Sequence, residues 1–258
     1  MTARIPQIEG RNWVALDLDG VIYQGPTALP GAVEAVRALR EGGLHTYFAT
    51  NASAATRPQV AARLRGLGVP CEDAEVTTSG HVAARRTRQL VGRGQAVLVI
   101  GGGGLAQECA AEGLSVTDDP RAAAAVVVGL DEMFSYTRLA AALVALRRDV
   151  PLVGCNRDAS YPGAGGTHLP GCGPLLAAVE AAAGRTADLV VGKPAATILT
   201  DLWAPTGTCS EDWFVVGDTD ADIGMAEAAG VPGVLVGDPA RGYRDLAGFA
   251  AALLEMRP

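Results

Sequence analysis

Short apolar runs alternate with stretches of helical spacing through most of this 258-residue chain. The run at residues 13–18 precedes Val33, Val36 and Leu39, whose spacing predicts a helix, and residues 44–49 form the next apolar run. Alternating strands and helices are typical of a parallel sheet covered by helices. The sequence therefore predicts an α/β fold.

Two aspartates lie at the end of the first apolar run. Asp17 and Asp19 are two residues apart, a spacing that places side chains on one face of a strand, and Gly20 then allows a sharp turn. Ligands of open parallel sheets bind beyond the carboxyl ends of the strands. Two carboxylates there repel each other unless a cation or a shared proton compensates. An ordinary acidic turn also fits these residues taken alone.

Two further strand ends carry groups that suit an anion. Thr50 and Asn51 follow the second apolar run and predict either an anion-binding loop or a cap for the next helix. Lys193 is the only lysine in a chain that otherwise uses arginine. Its compact ammonium suits a phosphate or a carboxylate in a tight pocket.

A fourth strand end is acidic again. Asp218 and Asp222 bracket a turn that we predict leads into a helix over residues 223–229. Oxygen ligands of this kind suit a hard divalent cation, and an incomplete shell completed by water suits Mg²⁺. Together the four strand ends offer a carboxylate cluster, an anion-binding loop and one cation.

Charge and hydropathy argue against several classes of protein. The net charge of −7 predicts no nucleic-acid partner. No apolar run approaches the ~20 residues needed to span a bilayer, and the first residues lack the apolar core of a signal peptide. We therefore expect no membrane association and a cytoplasmic location. Five cysteines without a C-x-x-C pair predict reduced, mostly buried thiols.

The strand-end motifs resemble those of the haloacid dehalogenase (HAD) superfamily of aspartyl phosphatases. In chain order they read DLDGVIYQG, ATNAS, VGKP and GDTDAD. The segments at residues 128–131, 156–158 and 169–171 are similar to those of its class IIA branch, which includes p-nitrophenyl-phosphatase-like and glycerol-phosphate phosphatases. The resemblance implies a Mg²⁺-dependent phosphoric monoester hydrolase that acts on small phosphorylated metabolites, such as glycerol phosphate or similar sugar and acid phosphates.

The resemblance also implies a Rossmann-like parallel-sheet core with an inserted α/β cap domain, and it allows a homodimer formed through the cap. We place the core at residues 1–92 and 188–258, and the cap at residues 93–187. Much of the branch has four residues between the last two acids, whereas this chain has three. Whether Asp220 or Asp222 serves the metal is therefore left open.

Catalytic roles follow from the same resemblance. Asp17 is the nucleophile that forms an aspartyl-phosphate, and Asp19 is the general acid and base. Lys193 offsets the charge of Asp17 and helps to bind the phosphate. The other implied ligands are Thr50 and the Asn51 backbone amide for the phosphate, and the Asp17 carboxylate, the Asp19 backbone carbonyl, Asp218 and, through water, Asp222 for Mg²⁺.

Substrate choice is predicted to lie in the cap. The glycine- and proline-rich loop from Asn156 to Gly171 is long enough to be a binding segment. Tyr161 and His168 are its side chains with both a ring face and a hydrogen-bonding group. Alternatively, Tyr161 packs within the cap and His168 faces solvent.

Two other functions compete with the phosphatase. Another HAD reaction, such as that of a phosphomutase or a dehalogenase, uses related motifs, although a dehalogenase does not need the acid at Asp19. A nucleotide-binding module is the second alternative, because Gly101–Gly104 follow an apolar run and match the pattern G-x-G-x-x-A. A tight turn between a strand and a helix explains the same glycines.

Overall fold

The computed structural model describes residues 8–162 and 167–257, with the backbone alone for Pro162. The strands of the described residues are β1 (Trp13–Leu16), β2 (Tyr23–Gln24), β3 (Thr27–Ala28), β4 (His45–Thr50), β5 (Val76–Thr78), β6 (Ala96–Ile100), β7 (Ser115–Val116), β8 (Ala125–Val128), β9 (Leu152–Gly154), β10 (Ser160–Pro162), β11 (His168–Pro170), β12 (Leu189–Val190), β13 (Trp213–Gly217) and β14 (Gly233–Leu235). The α-helices are α1 (Ala32–Glu41), α2 (Arg57–Gly66), α3 (Ser79–Val91), α4 (Gly103–Ala111), α5 (Tyr136–Leu146), α6 (Cys172–Ala183), α7 (Thr197–Thr200), α8 (Trp203–Thr206), α9 (Asp220–Ala229) and α10 (Leu246–Met256), and Asp73–Glu75 form a 3-10 helix. The predicted α/β fold is confirmed.

The chain groups into two compact units. The first contains the described residues of Met1–Thr50, Pro58–Thr77 and Lys193–Pro258, and the second contains Asn51–Arg57 and Thr78–Gly192. The chain therefore leaves the first unit after Thr50, returns to it for residues 58–77, and returns finally at Lys193. The boundaries that we placed between core and cap stay a prediction; in the structure, α3 groups with the second unit.

The sheet of the first unit has the strand order β14-β13-β1-β4-β5. Its strands β13, β1 and β4 run parallel, with Leu16 opposite both Phe48 and Val216. Consecutive parallel strands in this register end at the same edge of the sheet. The polar residues that follow each strand therefore emerge together, as the sequence pattern predicted.

Burial explains why these runs form central strands. In β1 and β13, Val14, Leu16, Phe214 and Val216 are completely buried, as expected for a parallel sheet covered on both faces. Phe214 also contacts Phe249 of α10, with ring centroids 6.1 Å apart. Each fully buried side chain of this size contributes about 1.5–3 kcal/mol to folding.

The second unit contains a separate parallel sheet, with the order β12-β9-β8-β6-β7. Leu98 and Ile100 of β6, Val126 and Val128 of β8 and Leu176 of α6 belong to one buried cluster. This unit therefore has its own hydrophobic core. Among the described residues, none of the helices combines the length and apolar character required to cross a membrane.

Part of the predicted Asn156–Gly171 loop is a hairpin. Strands β10 and β11 pair antiparallel, with Tyr161 opposite Leu169, so the expectation of an irregular loop is wrong for these strands. Residues 163–166 of the predicted segment lie outside the described residues. The first strand is also shorter than predicted, because the Leu18 carbonyl accepts the N–H groups of Ile22 and Tyr23 in a turn.

The cysteines agree with the sequence-based prediction. All five are free thiols, and only one is exposed: the buried residues are Cys71, Cys109, Cys155 and Cys172, and the exposed residue is Cys209.

Candidate active site

Three predicted site residues meet at the carboxyl edge of the first sheet. Asp17 follows β1, Thr50 ends β4, and Asp218 follows β13. The Asp17 N–H donates to the Val216 carbonyl at 2.9 Å, which continues the ladder between β1 and β13 by one residue. Sheet register therefore brings together residues that are far apart in the sequence.

Lys193 joins this edge as the centre of a buried ionic cluster. Its ammonium group donates to Oδ1 of Asp17, and it donates to Oδ1 of Asp222 at 2.6 Å. Lys193 is 4% exposed, Asp17 8% and Asp222 1%. Removing one member of such a buried cluster leaves a charge without compensation, which commonly costs about 3–5 kcal/mol.

Burial and charge act in opposite directions on this cluster. Burial raises the pKa of the Asp17 carboxyl to about 7, and the nearby charge of Asp222 adds to the rise, although Lys193 lowers the pKa. For Lys193, burial would lower the pKa, but attraction to Asp17 and Asp222 outweighs burial and raises it. Lys193 therefore stays protonated and favours the ionised form of Asp17.

The three acids at this edge fit a divalent cation. One carboxylate oxygen from each of Asp17, Asp218 and Asp222 lies within 4.8 Å of the others. Oδ1 of Asp218 is buried without a hydrogen-bond partner, and burial together with the charge of Asp222 raises the pKa of Asp218 to about 6. A buried acceptor without a donor, among carboxylates that repel one another, is suited to a hard cation such as Mg²⁺.

Two glycines permit this close approach of the acids. Gly20 has φ +85°, and a Cβ atom at this position would lie 2.0 Å from Oδ2 of Asp218. A Cβ atom at Gly217 would lie 2.2 Å from Cγ of Asp222. The sequence pattern indicated Gly20 only as a turn residue and did not identify Gly217. The signal that could have identified both is their position, because Gly20 directly follows Asp19 and Gly217 directly precedes Asp218.

Asp222 lies in a helix rather than at the end of a turn. Helix α9 begins at Asp220, three residues earlier than predicted, because Thr219 and Asp222 form a capping box. Thr219 donates to Oδ2 of Asp222 from its N–H at 3.1 Å and its hydroxyl at 2.6 Å. The Asp220 side chain is 80% exposed and pairs with Arg241. The geometry favours Asp222 over Asp220 as the acid near the metal.

Asp19 differs from the buried acids because it reaches solvent. Desolvation by the surrounding protein nevertheless raises the pKa of the Asp19 carboxyl. The charges of Arg63 and Lys193 lower this pKa but do not outweigh the desolvation. Arg63 stacks over the ring of Tyr23, with the guanidinium carbon 3.9 Å from the ring centroid. An exposed carboxyl with a raised pKa is suited to exchanging protons with a substrate and with water.

Thr50 and Asn51 do not cap the next helix. Helix α2 begins only at Arg57, so the capping interpretation of these residues is wrong. Thr50 is buried at the end of its strand. Within the second unit, the Asn51 side-chain amide donates to both carboxylate oxygens of Asp158, at 3.0 and 3.1 Å. The position fits an anion-binding loop, whereas the involvement of Asp158 was not predicted.

The two predicted specificity residues lie on the hairpin of the second unit. The Tyr161 hydroxyl donates to Oε1 of Glu132 at 3.0 Å, and desolvation, together with this bond, raises the pKa of Tyr161. His168 is exposed. The specificity roles of these two residues stay a prediction.

The glycine-rich turn has a packing explanation. Gly102 is the N-cap of α4 and follows β6 closely. A Cβ atom at Gly104 would lie 2.2 Å from the Ala54 carbonyl oxygen. Close backbone packing therefore accounts for this glycine without a bound nucleotide.

Comparison with known proteins places this geometry among phosphatases. Residues 14–115 match the family described as haloacid dehalogenase-like hydrolase, and residues 190–251 match the family described as HAD-hydrolase-like. Mouse (Mus musculus) chronophin is 38% identical over 232 residues, which cover 86% of this chain and 79% of chronophin.

Solved structures agree with the sequence matches. The p-nitrophenyl phosphatase of Archaeoglobus fulgidus superposes with a TM-score of 0.87 at 28% identity, covering 94% of this chain and 99% of that one. The glycerol phosphate phosphatase of Mycobacterium tuberculosis, solved in complex with magnesium, has a TM-score of 0.82 at 32% identity, covering 92% and 76% respectively.

Proposed function

Because this chain belongs to the family of haloacid dehalogenase-like hydrolases, we propose that it is a Mg²⁺-dependent phosphatase that hydrolyses small phosphate monoesters through an aspartyl-phosphate on Asp17. The observation that carries the proposal is the buried cluster of Asp17, Lys193 and Asp222 beside Asp218 at the edge of the sheet. A test is the release of p-nitrophenol from p-nitrophenyl phosphate by the purified protein, with Mg²⁺ and with EDTA.

We assign the metal to the cluster of acids described above. The carboxylates of Asp17 and Asp218 and the backbone carbonyl of Asp19 would hold Mg²⁺, with Asp222 binding a ligand water. When bound, the ion offsets the negative charge of these acids and of the substrate phosphate. Lys193 contributes the protein's own positive charge at the same place.

The chemistry assigned to the aspartates has two steps. In the first, a carboxylate oxygen of Asp17 forms a bond to phosphorus as the bond from phosphorus to the leaving oxygen breaks, and Asp19 gives its proton to that oxygen. In the second, water attacks phosphorus and passes a proton to Asp19, which frees Asp17 and inorganic phosphate. The Thr50 hydroxyl and the Asn51 backbone N–H bind the phosphate throughout.

We assign the substrate to the small polyol and acid phosphates, with glycerol phosphate first. The names of the relatives support this class, because they include a glycerol phosphate phosphatase and a p-nitrophenyl phosphatase. In this proposal the cap at residues 93–187 lies within the second unit, and its hairpin residues Tyr161 and His168 select the leaving group. A cytoplasmic location and a homodimer formed through the cap stay predictions.

The metal assignment predicts unequal effects of the three acids after β13. Asp218→Ala should raise the Mg²⁺ concentration for half-maximal activity by at least ~100-fold, because it removes a direct ligand. Asp222→Ala should have the next largest effect. EDTA should abolish the activity, and added Mg²⁺ should restore it. Initial rates measured against Mg²⁺ concentration check these outcomes.

Asp220→Ala is the matched control for this series, because its exposed side chain contacts Arg241 at the surface. Its Mg²⁺ requirement should change by less than about twofold, as expected for an exposed ion pair. A larger effect of Asp220→Ala than of Asp222→Ala would contradict the assignment.

The specificity assignment makes a different prediction. Tyr161→Ala and His168→Ala should change kcat/KM for glycerol phosphate by about fivefold or more relative to that for p-nitrophenyl phosphate, because one lost hydrogen bond to a leaving group is worth about 1 kcal/mol or more. Rates on a panel of phosphorylated metabolites check this. Equal changes for every ester, or a preference of the parent protein for large nucleotides, would refute the assignment.

A further inference from the structure

Asn51 takes part in a ring of hydrogen bonds within the second unit. Its side-chain amide donates to Asp158, and its carbonyl accepts from Nδ2 of Asn156 at 2.7 Å. The Asp158 N–H donates to Oδ1 of Asn156 at 3.0 Å, which closes the ring. We name the residues Asn51, Asn156 and Asp158 the Asn51 clamp.

The Asn51 clamp is partly buried and is supported by a further hydrogen bond. Asn156 is 3% exposed, and the Ser79 hydroxyl donates to the Asn51 carbonyl at 2.7 Å. The Asn51 carbonyl therefore accepts two hydrogen bonds, and the Asn51 side-chain amide donates to the Asp158 carboxylate. A network of connected polar groups of this kind favours one backbone orientation.

The chain segment before Lys193 packs against the same residues. A Cβ atom at Gly192 would lie 2.5 Å from Cβ of Asn156 and 2.7 Å from Oδ1 of Asn51. Only glycine permits this approach. The clamp thus includes Asn51, which directly follows Thr50, and packs against Gly192, which directly precedes Lys193; both residues belong to the second unit.

We infer that Asn156 and Asp158 are positioning residues for phosphate binding, acting through Asn51. The Asn51 side chain is occupied by Asp158, so its contribution to the phosphate is the backbone N–H, and the clamp fixes the direction of that N–H. Asp158 acts through the amide and does not touch the substrate. This inference rests on the proposed phosphatase function and adds to it two residues of the second unit.

A double-mutant cycle tests the inference. Asn51→Ala and Asp158→Ala should each lower kcat/KM for p-nitrophenyl phosphate by about 10- to 100-fold, and each should raise the inhibition constant of inorganic phosphate by a similar factor. Because both substitutions act through one amide, kcat/KM of the double variant should be no lower than that of the less active single variant. Thermal unfolding identifies any variant that fails to fold.

Asp158→Asn separates positioning from loss of fold. It keeps one oxygen acceptor for the Asn51 amide, so it should recover most of the phosphate affinity that Asp158→Ala loses. Arg157→Ala is the matched control, because the Arg157 side chain pairs instead with Glu180, at 3.0 and 2.6 Å. It should leave kcat/KM and phosphate inhibition unchanged.

The possible failures are distinguishable. A wild-type protein without Mg²⁺-dependent hydrolysis would overturn the proposed function and the positioning role together. An active wild-type protein in which the effects of Asn51→Ala and Asp158→Ala multiply, or in which Asp158→Ala leaves phosphate inhibition unchanged, would overturn the positioning role alone.

Discussion

Asp17→Asn is expected to abolish turnover while the fold is retained, with kcat for p-nitrophenyl phosphate falling by about 10⁴-fold or more. An amide is a poor nucleophile and a poor ligand for Mg²⁺, so one substitution removes both roles of the side chain. The amide is nearly the same size as the carboxylate and keeps an oxygen that accepts from Lys193. Steady-state rates and thermal unfolding of the two proteins measure the effect.

Asp220→Asn is the control for this substitution. It makes the same chemical change at a nearby but exposed carboxylate that pairs with Arg241. Its turnover should equal that of the parent protein. If Asp17→Asn retained the parent's Mg²⁺-dependent rate, Asp17 would not be the nucleophile.

Lys193→Arg is expected to lower kcat by about 10³-fold, although the charge is conserved. The ammonium of Lys193 contacts two carboxylates in a buried space, and its Asp222 contact is 2.6 Å long. A planar guanidinium is larger and distributes its donors along a fork. It would displace Asp17 or Asp222, and displacements of about 1 Å at a reacting group cost roughly 10²-fold or more.

Two comparisons make the lysine result specific. Arg241→Lys exchanges the same residue types at an exposed ion pair, so turnover should be unchanged. Lys193→Met leaves Asp17 and Asp222 without their shared cation and should lower the free energy of unfolding by about 3–5 kcal/mol. A Lys193→Arg protein as active as the parent would remove Lys193 from the catalytic cluster.

Much of the site was predictable because its acids follow strong strand signals. The apolar residues before Asp17 and Asp218 form adjacent parallel strands. Once both runs are predicted to be central strands, the acids that follow them are predicted to lie close together. Lys193 was predictable for a different reason: in a chain that otherwise uses arginine, its chemistry is exceptional.

The position of Asp222 was harder to predict. The pattern placed it at the end of a turn, whereas it lies in the first turn of α9, where Thr219 caps the helix. The two hydrogen bonds from Thr219 to Asp222 decide this boundary. Single-residue capping choices shift a helix start by a few residues without changing the apolar pattern.

The pairing of residues within the Asn51 clamp had no local signal. Asn51 and Asp158 are separated by 107 residues, and their pairing depends on the fold of the second unit. Each residue taken alone is an ordinary polar loop residue. The hairpin formed by β10 and β11 escaped prediction for a similar reason, since its short strands were hidden in a glycine- and proline-rich segment.

The most direct test of the proposed function is detection of the covalent intermediate. The wild-type protein is mixed with p-nitrophenyl phosphate and Mg²⁺, quenched in acid during turnover, and digested for mass spectrometry. We predict one phosphoryl group on the peptide that contains Asp17, absent with EDTA and absent from Asp17→Asn. Mg²⁺-dependent hydrolysis by a wild-type protein whose phosphoryl group is found on a different residue would contradict the account.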